Sequence, residues 1–269
     1  MKGPLDYQQA VSIPPLAPTI AALGDDVRES LSRLSSAGFR HAQLSSLQAG
    51  TRPKDLDQSG RRDLAATLKR LELTAAGVDC WVPTEHFVDP ERVDRAVAAV
   101  CGAIELASDL GRVAVSLCFP ARKSEGGSNS ASNGVDNDAG LSSVVSAIGN
   151  YAAKYGVKIA DFGLPVHNWE MSGVIGVGID VAAAIANGDD PVKVVHGHAA
   201  HLVSVRVSDM HRNGMRGPIG DQSAGRLGVL ELRVAVMMAI GVQPVVLDAR
   251  QWPDAWGGIM QSKVAWEKS

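Results

Sequence analysis

Aromatic residues are scarce in this chain. They make up 4% of its 269 residues, too few for the stacked platforms on which single-stranded nucleic acids are read. Cysteine is scarcer still: Cys80, Cys101 and Cys118 are the whole set, without paired spacing. An odd, low count argues against a disulfide scaffold and fits a reducing compartment, so a cytoplasmic location is expected. All three lie in apolar runs, where a thiol is most simply a small buried hydrophobe. An excess of one charge is also lacking: 26 Lys and Arg stand against 29 Asp and Glu, a net charge of −3. Nucleic-acid binding needs a basic surface, so no nucleic-acid partner is expected. No apolar stretch is long enough to cross a bilayer, and the opening MKGPLDYQQAVSIPPLAP has no sustained apolar segment of the signal-peptide kind. Neither a membrane partner nor secretion is expected.

What the chain does have is rhythm. Eight short apolar runs alternate with helical patterns: 18–23, 41–45, 74–81, 113–119, 157–162, 174–180, 202–209 and 244–248. Most are rich in Val, Ile, Ala and Leu without clean alternation, as expected of parallel strands covered on both faces. Between them, Val27, Leu31 and Leu34 share a helical face over 26–37. Leu64, Leu68 and Leu71 do so over 61–71. Asp89 with Pro90 predicts the start of a helix striped by Val93, Val97, Val100, Ile104 and Ala107. Further helices are expected over 141–155, 230–240 and 255–266. The strand–helix unit recurs about eight times, which fits a single (β/α)8 TIM barrel spanning 1–269. The competing doubly wound sheet is disfavoured, because no nucleotide-binding glycine loop follows the first strand. The polar segment 121–140, rich in Gly, Ser and Asn, is expected to be a flexible loop insertion after strand four. It reads either as a lid or as an insertion without a role.

The last four runs share a property. VKIAD ends at Asp161, GVGID at Asp180 and PVVLD at Asp248, while LVSVRVSD carries Arg206 and Asp209. In a parallel barrel the C-terminal strand ends meet on one face, where such folds carry out chemistry. A polar site is therefore expected there.

Longer segments carry a family resemblance. SLSRLSSAGFRHAQLSS, HFVDPERVDRAVAAVCGAIELASDLGR, IGNYAAKYGVKIADFG, GVGIDVAAAIANGDDPV, LVSVRVSDMHRNG and PVVLDAR follow one another in order. As a set they resemble the xylose isomerase-like barrels, the sugar phosphate isomerase/epimerase superfamily that also includes endonuclease IV. That family holds a metal with Glu, Asp, His and Glu from strands five to eight. The matching positions here are Asp161, Asp180, Arg206 and Asp248. Both Glu positions are Asp, and the His position is Arg206, whose guanidinium cannot ligate a metal.

The resemblance implies an isomerase or epimerase that moves a proton next to a carbonyl on a small sugar or related polyol ketone. Asp161 and Asp248 would be the proton-transfer carboxylates. If a metal is retained, Asp161, Asp180 and Asp248 would hold it, and Mg2+ or Mn2+ suits such ligands. The simpler expectation is that Arg206 supplies the missing positive charge and no cofactor is needed. Arg212 matches a substrate-binding arginine of related epimerases. His167 and Asn168, just past strand five, are further substrate-binding candidates, as is Trp252 after strand eight. Lys123, Arg212, Arg216 and Arg250 could together favour an anionic substrate, or be scattered surface charges. The competing reading is a catalytically silent barrel that binds a sugar-like ligand or a protein partner. A homo-oligomer is compatible with either. The histidines of a trinuclear zinc nuclease are missing, which disfavours that activity. His196, His198 and His201 precede strand seven, on the opposite face.

Overall fold

The computed structural model describes residues 13–121, 134–167, 173–221, 223–239 and 244–268. Eight parallel strands form its centre: β1 (Leu16–Pro18), β2 (His41–Ser45), β3 (Thr74–Asp79), β4 (Ala114–Leu117), β5 (Ile159–Asp161), β6 (Ile175–Asp180), β7 (Leu202–Val207) and, after a short antiparallel pair β8 (Asp209–Met210) and β9 (Arg216–Gly217), β10 (Val245–Leu247). Their order is β1-β10-β7-β6-β5-β4-β3-β2. The ends of this sheet meet through one bridge, Thr19 to Gln43, so the barrel is nearly closed. Thr19 Oγ1 donates to Gln43 Oε1 at 3.1 Å, and Gln43 Nε2 donates to Ser116 Oγ at 3.3 Å. This is the expected (β/α)8 architecture.

The first strand lies two residues earlier than the run over 18–23 suggests, and Ile20–Ala22 instead form a 3-10 turn. That segment, IAAL, contains a single β-branched residue, so it has little strand preference.

Helices cover the sheet between strands. In α1 (Val27–Ser36) the Asp26 side chain accepts from the Arg28 and Glu29 N–H groups, filling the N-cap role its residue type favours. Val27, Leu31 and Leu34 face the core, as their spacing predicts. The second helix, α2, spans Gln58–Arg70 and buries Leu64 and Leu68. The third, α3 (Val93–Asp109), starts later than Asp89-Pro90 predicts. Asp89 accepts the Glu91 N–H instead, closing a turn ahead of the helix. The fourth, α4 (Gly134–Tyr155), begins inside the segment expected to be a loop; residues 122–133 lie outside the described residues. After β6 come α5 (Val181–Asn187) and α6 (Pro191–Gly197); α7 (Val229–Met238) and α8 (Ala255–Lys268) complete the shell. His196 and His201 are exposed and His198 is half-buried, all ahead of β7 and away from the strand ends.

The glycines of GVIGVGID serve packing. A Cβ on Gly178 would lie 2.5 Å from the Phe162 ring, and one on Gly176 the same distance from the His201 carbonyl oxygen. These positions let neighbouring strands approach closely. Among the described residues no helix is long and apolar enough to cross a membrane.

Candidate functional site

The chemistry gathers at the C-terminal ends of the strands, and its centre is an ion-pair network. Arg206 alternates with Val205 and Val207 along β7, so it points into the barrel while they face the helices. Its Nη2 donates to Asp79 Oδ1 at 2.6 Å, and its Nε lies 3.6 Å from Asp248 Oδ2. That Nε makes no hydrogen bond among the described residues. The guanidinium also stacks 4.4 Å from the Phe162 ring centre, the ring that Gly178 makes room for. Asp79 ends β3, four places round the ring from β7.

Arg250 completes the network. It grips Asp248 with two side-chain bonds, Nε to Oδ1 at 2.9 Å and Nη2 to Oδ2 at 2.7 Å. Its Nη1 donates to Asp79 Oδ2 at 2.6 Å. Asp79 is thus held by both guanidiniums. Burial pushes the Asp248 carboxyl up, but the Arg250 hydrogen bond and the charges of Arg206 and Arg250 outweigh it and hold it at about 2. Arg250 is shifted the other way: burial opposes its charge, yet Asp248 and Asp79 raise it further.

A pH prediction follows. The Asp248 carboxyl sits lower in the folded chain, at about 2, than in an unfolded chain, at about 3.9. Its contribution is therefore present above about pH 4 and is lost as pH falls through the folded value. Urea unfolding from about pH 5 to about pH 2 should lose about 2 kcal/mol from this group, and Asp248→Asn should remove that part of the slope. Equal slopes in both proteins would contradict the assignment.

Asp161 is held separately. Its Oδ1 accepts the backbone N–H groups of Phe119 and Gly163, each at 3.0 Å, and its Oδ2 lies 2.7 Å from His167 Nδ1. Both side chains are buried, 3% and 7% exposed. The turn from Gly163 folds the imidazole back over the chain: a Cβ on Gly163 would lie 2.3 Å from the His167 ring, so only glycine fits there. Asp180 is the N-cap of α5, accepting the Ala183 N–H at 3.0 Å, and Arg216 Nη1 reaches the same oxygen at 2.9 Å. Cys118, beside Phe119, lies within the electrostatic reach of this whole group. Burial pushes its thiol up to about 11; the negative charges of Asp161, Asp180 and Asp79 add to the rise, and the Arg206 guanidinium opposes it. A thiol so held is a poor nucleophile.

The structure thus places Asp161, Asp180, Arg206, Asp248 and His167 at one end of the barrel. Arg212 stands apart. It is exposed and lines a separate groove of about 990 Å3 with Gly220, Arg226 and the start of α7. Trp252 is 6% exposed and packs on Gly258 in the core. Asn168 and Lys123 lie outside the described residues. Asp209 organises the loop ahead of α7, accepting the N–H groups of Arg226 and Leu227.

The residues to which the resemblance assigns a metal do not fit a divalent ion. Both Asp248 oxygens are taken by Arg250, Asp180 Oδ1 by Arg216, and Asp161 by three protein donors. Arg206 occupies the fourth position as a cation. Among the described residues no group of three or more His, Cys, Asp or Glu is arranged to share an ion.

Two partners escaped the sequence reading. Asp79 was hidden inside the run over 74–81, and the strand-end pattern that exposed the other aspartates was its only available signal. Arg250 was visible only as a scattered cation, although its place two residues after Asp248 suits a carboxylate clamp.

No family model matches the sequence, and no curated protein matches it. Solved structures do. A D-tagatose 3-epimerase-like protein is 19% identical with a TM-score of 0.68, covering 94% of this chain and 99% of its own. A xylose isomerase domain protein from Planctomyces limnophilus is 13% identical with a TM-score of 0.69, covering 95% and 97%. A xylose isomerase-like TIM barrel protein from Mycobacterium smegmatis, in complex with magnesium, is 13% identical with a TM-score of 0.67, covering 95% and 96%. At the level these likenesses reach, the chain shares the (β/α)8 barrel fold of these structures.

Proposed function

We propose that the protein is an isomerase or epimerase that moves a proton next to the carbonyl of a small sugar or related polyol ketone, with guanidinium charge in place of a divalent metal. The observation that carries this reading is the pairing of Arg206 and Arg250 with Asp79 and Asp248. It sets fixed cations among the strand ends, where a developing enediolate oxygen needs positive charge. Among the described residues Arg206 Nε makes no hydrogen bond, with Asp248 Oδ2 3.6 Å away.

The proton would pass through His167 rather than directly through either carboxylate. Asp248, held at about 2, is too weak a base, and Asp161 already accepts three donors. Donation from His167 Nδ1 to Asp161 fixes the tautomer in which Nε2 carries the lone pair. Asp161 then orients the imidazole and balances the charge it gains, the role of the carboxylate in a His–Asp pair. Substrates of this kind are in keeping with structural neighbours such as the D-tagatose 3-epimerase-like protein and the xylose isomerase domain protein.

The experiment is solvent deuterium uptake at the carbon next to the carbonyl of candidate ketoses, run with and without EDTA. Uptake that survives the chelator is expected. Uptake that needs an added divalent ion would overturn the metal-free reading. Sugar binding with no uptake would favour the catalytically silent alternative.

A further inference from the structure

Trp81 is an anomaly for its type. It is 54% exposed, whereas tryptophan is usually well covered, and it stands at the strand ends just after β3. Cys80 and Val82 on either side of it are buried. Trp81 follows Asp79 by two residues, at the centre of a tight turn closed by the Val82 N–H on the Cys80 carbonyl oxygen at 3.1 Å. Its ring lies 5.7 Å from the Arg250 guanidinium, which is itself 24% exposed. The aromatic face and a half-open cation therefore stand together at the mouth of the barrel.

Resting on the reading of this mouth as a small-sugar site, we infer that Trp81 and Arg250 form one wall of it, and that the wall takes an unphosphorylated sugar. An indole offers a flat apolar surface to the C–H face of a sugar ring, while guanidinium N–H groups donate to its hydroxyls. The selectivity follows from charge. Around the wall stand the carboxylates of Asp79, Asp161, Asp180 and Asp248 against the guanidiniums of Arg206, Arg216 and Arg250. Among the described residues each of these guanidiniums is already paired, and four carboxylates stand against three guanidiniums, which leaves no surplus positive charge for a phosphate. The aromatic wall is Trp81 rather than Trp252, whose ring is buried in the core.

Calorimetric titration of the full chain with D-tagatose, L-ribulose and D-fructose 6-phosphate tests this. A neutral ketose should bind at least about tenfold more tightly than the phosphorylated one. Trp81→Ala should weaken that binding about tenfold, and Trp81→Phe should restore most of it. Because Trp81 is exposed, the thermal midpoint should not move in either variant, which separates lost contact from lost folding. Unchanged binding in Trp81→Ala overturns the wall. Tighter binding of the phosphorylated ketose, or no binding of either neutral ketose, overturns the sugar assignment. Binding is read without turnover, so intact Trp81-dependent binding with no deuterium uptake would sink the enzyme reading alone.

Discussion

Asp79→Ala should destabilise the protein by about 3–5 kcal/mol, the cost typical of removing one partner from a buried ion pair. The reason is the sharing seen at this carboxylate. It is 2% exposed and receives Arg206 on one oxygen and Arg250 on the other, each at 2.6 Å. Without it, Arg206 keeps its charge at 4% exposure, with Asp248 3.6 Å away as its remaining counterion. Arg250 still has its two bonds to Asp248 and suffers less. Urea denaturation would measure the loss. Removing the pair together, as Asp79→Leu with Arg206→Met, should recover much of it, because the penalty comes from the stranded charge rather than from the pair's net worth. A single variant within about 0.5 kcal/mol of the parent would refute the network's importance for stability.

His167→Gln should lower deuterium uptake by about 10²- to 10⁴-fold, the range that a positioned acid–base group supplies. Asp161→Asn should lower it less, since the imidazole would remain but lose its charged orienter. Both effects should fall on kcat more than on KM, because in the proposed path both side chains act on the proton in the transition state. Uptake within about threefold of the parent in both variants would rule out this proton path. The two residues are buried together, so circular dichroism of each variant should accompany the rates.

The barrel was legible because it repeats. Buried parallel strands leave apolar runs, and helices leave a stripe such as Val27, Leu31 and Leu34. Where the pattern is weak, the reading slipped: IAAL at 20–23 is apolar but poorly suited to a strand, and the helix start near Gly134 sits in polar sequence. In the candidate site, Asp161, Asp180, Arg206 and Asp248 could be singled out because each stands at or near the end of its run. The pairings they make could not. Arg250 and Asp79 lie 171 residues apart, and no local pattern records a contact at that separation. Trp252 and Trp81 show the same limit in another form. Both follow strands, yet one is buried and the other open, and that depends on what folds over them.

The ring of strands is stitched by backbone hydrogen bonds except at the seam between β1 and β2, where a single bridge joins its ends. Above that seam, the salt bridges from Asp79 to Arg206 and Arg250 work as tie-rods. They run from β3 across the open end to β7 and to the segment after β10, fastening one half of the ring to the other. A split hoop braced in this way holds its aperture by side chains rather than by its rim. The charges that line the mouth thus also tie its two sides together.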